Sequence, residues 1–364
     1  MTQYATMTTQ IPGPVNVVYQ RQFLEEAYPW CPYFEGSKPA TIGESMGSFT
    51  AKWRRINNLN PSTTALSEVA NATTITFPIR QTITPTVTDV TATVQKYGQT
   101  LIITEEVDLV NYNGYTGELN RALAVAAGRS LNQLQRDELE DNLSAVYASG
   151  VNGAANIANA ISYSDIVGTV NWLARNNGLP FTDRTSGSGN ENTSPIPPCY
   201  LGFAHVDVEE DIRALPGFQA AESYMSQTSL YRQEFGRVGR VRFLSSTEGS
   251  VDTNTGVAVG TTGLRATGTK VDAYNTVIVA QNAHGSLGLD RAHPSEVFQA
   301  GKGSLPSVEL LSSPRQVSVV DTLAELATMS YKTWHAAKVI SKLDSNNVTM
   351  WGRCIRSGAT NISV

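Results

Sequence analysis

The sequence predicts an α+β chain in which polar, extended β-segments reach away from a compact body. Three observations predict it. Hydrophobic residues make up 41% of the 364 positions and charged ones only 16%, enough apolar sequence for one large or two ordinary domains beneath a surface of Thr, Ser, Asn and Gln. Apolar residues recur at helical spacing most strongly over 116–147, whereas 48–94 carries short β-like runs and no helical period. Beyond residue 150, helix-start signals and strand-like runs alternate.

Residues 1–20 are rich in Thr, Gln and Pro and read as an extended N-terminal arm. Q-R-Q-F-L-E-E-A-Y-P follows as a short helix halted by Pro29, and a loop through Gly36, Pro39 and Gly43 leads into the strand S-F-T-A-K-W-R-R-I. Phe49, Ala51 and Trp53 share one parity there. Ser48 to Val94 then reads as a single β-excursion: a strand out, an irregular tip, and a return from Thr86 with Val90, Ala92 and Val94 on one face. Past Gly98 the parity is lost in Leu101-Ile102-Ile103. Glycine inside a strand marks a bulge or a close backbone approach, so the strand is expected to bend at Tyr97-Gly98 and continue as a fully buried segment.

Thr116 to Tyr147 is the long helix, with Leu119, Leu123, Ala127, Leu131, Leu139 and Leu143 on its apolar stripe. Its length would be roughly 45 Å at the helical rise. Gly128 costs it about 1 kcal/mol relative to Ala, which leaves room for a bend there. After a small-residue patch, 150–160, Ser162 caps a helix carrying Ile166, Val170 and Leu173, stopped by Asn177-Gly178 and Pro180. A Gly/Ser-rich loop precedes a strand from Cys199 to Ala204. Asp207 with Glu210 forms a capping-box-like start to a helix that ends at Pro216-Gly217. Gly239–Ser246 and Asn275–Ala280 read as strands flanking a Gly/Thr-rich excursion, and Tyr331–Ile340 is expected to pair with Val348–Ile355 as a terminal hairpin about L-D-S-N-N.

The formal charge of −5 and the absence of a Lys/Arg run exclude the electrostatic footprint of a nucleic-acid reader. Cys31, Cys199 and Cys354 are far apart and odd in number, so neither a disulfide framework nor a zinc motif is indicated and a reducing compartment fits. The opening M-T-Q-Y-A-T-M lacks a basic or apolar leader region, and no apolar run reaches the ~20 residues needed to span a bilayer. The expectation is a chain neither secreted by a cleaved signal nor embedded in a membrane.

Candidate chemistry is sparse. Glu105-Glu106 follows Thr104 and reads as the acidic first turn of a helix, since consecutive helical residues point apart and do not converge on a substrate. The cluster D-V-E-E-D, Asp207 to Asp211, with His205 beside it, opens a helix and lacks the spaced oxygen ligands and turn glycine of a hard-cation loop. His205, His284, His293 and His335 include no zinc-type i, i+4 pair. No Walker loop, nucleophile elbow, dinucleotide fingerprint or C-x-x-C is present. Gly236-Arg237-Val238-Gly239-Arg240 lacks the lysine and spacing of a phosphate loop and reads as a turn into a strand. Arg54-Arg55 is expected to pair with acids of another subunit or to be solvated, and the polar chain favours the first. A free monomer would leave the arm and excursion uncovered and their strand edges open, so neighbours are expected to cover them.

The order of segments resembles a tailed-bacteriophage major capsid protein, of the branch related to the podovirus called N-four. The resemblance rests on Q-F-L-E-E-A-Y-P with F-T-A-K-W-R-R-I, on V-T-D-V-T-A-T-V-Q-K-Y-G-Q-T-L-I-I-T-E-E, on F-A-H-V-D-V-E-E-D-I-R-A-L-P-G-F, on F-G-R-V-G-R-V-R-F-L and on S-Y-K-T-W-H-A-A-K-V-I. It runs from about Arg21 to Ile340 and leaves out 60–80, 182–198 and 247–270. It implies the capsid fold shared by tailed phages and herpesviruses: an N-arm over 1–20, a peripheral domain from 21–47, 97–149 and 321–364, an extended β-loop over 48–96, and an axial domain over 150–320.

It further implies a structural protein and no enzyme, with no catalytic, cofactor-binding or metal residues. Copies would form pentamers and hexamers of an icosahedral head assembled in the host bacterial cytoplasm, enclosing double-stranded DNA without sequence-specific binding. The portal, decoration proteins and scaffolding proteins would be further partners, and no membrane is involved. Gly98 and Tyr97 would be the loop bend, and Trp334 and Trp351 would lie in the peripheral core near the strand Val94 to Ile103. The alternative is an intracellular α/β enzyme or ligand-binding protein with its site in the 150–320 lobe near D-V-E-E-D.

Overall fold

A computed structural model describes residues 30–43, 48–56, 87–110, 115–181, 197–224, 230–260, 262–290, 308–313, 321–341 and 347–362, with a few single positions such as Ala27. The expected N-terminal arm, most of the helix before Pro29, the tip of the β-excursion, most of the loop 182–198 and His293 lie outside these residues.

The chain opens with β1 (Lys38–Gly43), the ribbon strands β2 (Thr50–Ile56) and β3 (Val87–Thr93), then β4 (Gln95–Thr104), α1 (Glu105–Val110) and α2 (Tyr115–Asn142). A second lobe follows: β5 (Ser144–Tyr147), α3 (Tyr163–Arg175), β6 (Tyr200–His205), α4 (Val206–Arg213), β7 (Phe218–Ala220), β8 (Glu234–Val238), β9 (Val241–Ser246), β10 (Val251–Asp252) and β11 (Ala273–Val279). The chain then returns to the first lobe with β12 (His284–Asp290), β13 (Val308–Ser313) and β14 (Leu326–Val339), and crosses over once more with β15 (Gly352–Ser357).

The five-stranded first sheet is organised by β14. β4 lies antiparallel along one edge of it, from Leu326↔Thr104 to His335↔Gln95, while β13 and β12 share the other edge. The eight-stranded second sheet has the order β5-β15-β11-β6-β9-β8-β7, with β10 beside β11. β11, A-Y-N-T-V-I-V, is buried at every position because both faces of its sheet are covered. Ile166, Val170 and Leu173 of α3 with Val208 and Ile212 of α4 cover one face; Tyr33, Leu139 and Leu143 cover the other.

The 28-residue α2, about 42 Å long at 1.5 Å per residue, joins the two lobes. Leu123, Ala124, Ala127 and Leu131 pack with Met329, Tyr331 and Val308 of the first sheet, and Leu139 and Leu143 pack with Leu201, Phe203, Val277 and Val279 of the second. Ser162 caps α3 as a capping box, its side chain and that of Asp165 each accepting from the other's backbone N–H.

Several expectations are corrected. The long helix ends at Asn142, and 144–147, expected as its last turn, forms β5 beside β15. Gly128 lies inside the single helix α2 and lets the chain at Ala27 approach it closely: a Cβ there would stand 2.4 Å from the Ala27 carbonyl oxygen. The terminal hairpin does not form. Apart from the bridge Leu343↔Thr349, Tyr331–Ile340 belongs to the first sheet while β15 pairs with β11 and, in parallel, with β5. Likewise β12 and β13, expected in the later lobe, are strands of the first sheet. The cap of α4 is His205, whose Nδ1 accepts from the Asp207 N–H at 3.0 Å, in place of Asp207 itself.

Candidate assembly surface

The excursion begins as a two-stranded ribbon, with β2 and β3 antiparallel from Thr50↔Thr93 to Ile56↔Val87. Its inner face is fixed by apolar contact: Trp53, Ala92 and Val94 are buried with Ile42, Leu287 and Ile340. Phe49 stacks on Trp334 with centroids 5.5 Å apart and planes 6° from parallel. At its far end the opposed pair Ile56 and Val87 is exposed. A two-stranded ribbon alone is marginal, so its root depends on this packing against the first sheet.

Arg54 does not await a partner: its Nε and Nη2 donate to Asp89 Oδ1 and Oδ2 at 3.0 and 3.1 Å across the ribbon. This pairing pushes the Asp89 carboxyl below its ordinary value. The pair is solvent-facing and its stabilising effect is small. Arg55 turns inward instead, donating from Nη1 to the Ile340 carbonyl at 2.6 Å and lying over Trp351 at 5.8 Å. Its burial pushes the guanidinium pKa down. Between the ribbon and the second lobe opens a cleft of about 770 Å³, lined by Lys38, Trp53, Arg54, Arg55, Ile56, Leu179 and Trp351 among others.

The bend expected at Tyr97-Gly98 is displaced. The β4–β14 register runs unshifted through Tyr97↔Thr333 and Gly98↔Lys332, and the change of partner falls at Val94, between β3 and β4. Gly98 serves close approach instead: a Cβ on it would meet the Tyr331 carbonyl oxygen at 2.5 Å. Nor is β4 fully buried. Leu101 and Ile103 pack toward α2 while Ile102 faces outward, because helix covers only one face of this sheet. Trp334 is directly opposite Lys96 on β4, as expected near that strand, but half-buried. Trp351 lies elsewhere, packed between the two cores of the second lobe, with its Nε1 donating to the Asn176 carbonyl at 3.3 Å.

Glu105, Asp207 and Asp211 have structural partners. Glu105 opens α1 and pairs with Arg315 at 3.3 Å. Asp207 accepts from Tyr274 Oη at 3.0 Å and pairs with Arg265; Asp211 accepts from the Thr360 N–H at 2.9 Å. Among the described residues no group of three His, Cys, Asp or Glu side chains could hold a metal ion. The segment 236–240 is the end of β8 and the tight turn into β9, with Gly239 at φ +55°. Cys31, Cys199 and Cys354 are free and buried, and burial pushes Cys31 and Cys354 up to about 12.

One constellation had no separate sequence signal. Along one side of α2, Arg129 Nε and Gln133 Nε2 each reach Glu248 at 2.5 Å, and Arg136 donates to the Glu248 carbonyl. One turn further, Glu140 accepts from Ser250 and from Asn275 Nδ2. This clamp fixes the second lobe to the helix. The i, i+4, i+7, i+11 spacing of 129, 133, 136 and 140 was visible, but its partners lie more than a hundred residues away.

No protein-family model matches the chain, and no curated protein matches it in sequence. Solved structures do. The capsid of Ralstonia phage GP4 superposes with a TM-score of 0.62 at 10% identity, over 90% of this chain and 88% of that one. The chain has a phage-capsid fold. The acidic stable capsid of Helicobacter pylori bacteriophage KHP30 agrees, with a TM-score of 0.56 at 9% identity over 89% and 88% of the two chains. The head of H. pylori bacteriophage KHP40 gives 0.51 at 10% over 90% and 88%. At such identity the likeness is one of backbone architecture. Within that capsid fold, β14 organises the first sheet, α2 joins the lobes and the ribbon extends from their junction.

Proposed function

We propose that this chain is the major capsid protein of a tailed bacteriophage of the N-four-like branch, self-assembling as pentamers and hexamers into an icosahedral head around double-stranded DNA. The observation that carries this reading is the capsid fold over nine-tenths of the chain. The ribbon supports it, since its exposed far end bears apolar residues that a neighbouring copy would cover. In this reading 1–20 is the N-arm, 48–96 the extended loop, and the first sheet with α2 the peripheral domain. The second sheet with α3, α4 and β15 is the axial domain.

The work is done by area. Each loop and arm adds intersubunit burial at roughly 25 cal/mol per Å² of apolar surface, and several weak contacts per copy sum to a stable closed particle. The mild negative charge suits an inner wall that encloses DNA without gripping it. The head would be built in the host cytoplasm with a portal and with scaffolding or decoration proteins. Negative-stain microscopy of the expressed chain tests the proposal: shells, tubes or capsomers are expected, and a monomer that binds one small molecule tightly would support the enzyme or ligand-binding reading instead.

A further inference from the structure

We infer that the cleft beside the ribbon receives α1 of a neighbouring copy, so that each subunit grips the next head to tail. This rests on the capsid reading and names the partner of one of its surfaces.

The cleft is cationic and partly apolar. Lys38, Arg54 and Arg55 line it together with Ile56, Leu179 and Trp351, and among the described residues no carboxylate lines it. Arg54 is already held by Asp89, which leaves Lys38 and Arg55 to face an incoming anion. Arg55 has one N–H on the Ile340 carbonyl, while its buried Nε has no acceptor among the described residues. A carboxylate brought beside Lys38 and Arg55 would offset the partial burial of the guanidinium by charge pairing.

α1 is the complementary element. Of its six residues, E-E-V-D-L-V, Glu105 is held by Arg315, and Glu106 is exposed. Leu109 and Val110 are 74% and 85% exposed, values that apolar side chains keep at a surface meant to be covered. Within one chain the two surfaces cannot meet. α1 follows Thr104, which pairs with Leu326 at the start of β14, whereas the cleft includes Ile340, just past the end of that 14-residue strand. The strand separates them by roughly 45 Å at ~3.3 Å per residue. A contact joining opposite ends of identical rigid bodies is heterologous, and such contacts close into rings when the rotation permits.

Disulfide trapping tests this. Leu109 and Leu179 are exposed and the native cysteines are all buried, so Leu109→Cys with Leu179→Cys in one chain adds the only accessible thiols among the described residues. Oxidation of assembled protein should give a ladder of dimers, trimers and higher bands up to a full ring, and each single variant should give dimers at most. Particles that form normally, with no more cross-linking in the double variant than in the singles, would overturn the inference and leave the capsid reading standing. No oligomer of any variant or of the parent chain would overturn both. A charge exchange checks the same contact without cysteines: Lys38→Glu and Glu106→Lys should each slow assembly on the order of tenfold, and their combination should recover it. Failure of the combined variant to recover, with both single variants folded, would also count against the contact.

Discussion

Gly128 of α2 faces the carbonyl of Ala27 so closely that a Cβ would stand 2.4 Å from the oxygen. The neighbouring turn is tied down as well, with the Cys31 thiol donating to the Gly128 carbonyl at 3.3 Å. Helix propensity alone favours Gly128→Ala by about 1 kcal/mol. The crossing reverses the sign, because backbone cannot move aside as a side-chain tip can, and overpacking costs roughly 1–3 kcal/mol. Urea denaturation should find the Ala variant less stable than the parent; a more stable variant would refute the crossing.

Gly98 sits in the β4–β14 ladder, where a side chain would collide with the Tyr331 carbonyl. Gly98→Val should therefore impair folding of the first sheet and particle assembly, whereas Glu105→Gln removes only a partly exposed pair with Arg315 and should be nearly silent. Equal yields of assembled particles from the two variants would contradict this.

Glu234 and Arg242 form a buried pair in the second lobe, with side chains 0% and 4% exposed and contacts of 2.6 and 2.7 Å. Tyr224 and the Tyr231 N–H also donate to Glu234. Glu234→Ala removes the carboxylate that holds two N–H groups of the buried Arg242 guanidinium and should cost about 3–5 kcal/mol. Replacing both partners, Glu234→Leu with Arg242→Met, should recover part of that loss in chemical denaturation, because the Tyr224 hydroxyl and the Tyr231 N–H still lose the carboxylate. A double variant as unstable as the single would place the cost in lost packing.

His284 and His335 are buried in the first sheet, and burial holds both imidazoles down at about 4. The unfolded chain binds protons at these sites from about pH 6.5 downward while the folded chain resists, so stability is complete above that pH and falls toward pH 4 by roughly 3 kcal/mol per histidine. Glu140 works in the opposite direction, since burial raises its carboxyl pKa and acidification favours the folded form there. Unfolding free energies at pH 7, 5.5 and 4.5 for the parent and His335→Gln isolate the histidine contribution. The variant should show the shallower decline, and parallel curves would contradict it.

Much of this architecture was legible in residues that act locally. Ser162 with Asp165, the stripe from Leu123 to Leu143, and the alternation around Trp53 and Val90 report their own helix or strand. What escaped depends on partners distant in sequence. L-D-S-N-N is a fair turn between two strand-like runs, yet it cannot say that Cys354 pairs with Val277 rather than with the strand before it. Gly98 and Gly128 carry the same local ambiguity, bend or close approach, and only Tyr331 and Ala27 decide it. Arg55 is likewise indistinguishable from Arg54 until Asp89 and Ile340 are in place. The consecutive apolar residues 101–103 suggested burial on both faces, which a sheet covered by helix on one side does not provide.

Whether this chain acts by associating with copies of itself is read from the light-scattering mass of the purified 364-residue chain as its concentration is raised. Masses of five or six chains, or of complete shells, are expected; a single species of 39.2 kDa at every concentration would contradict self-assembly.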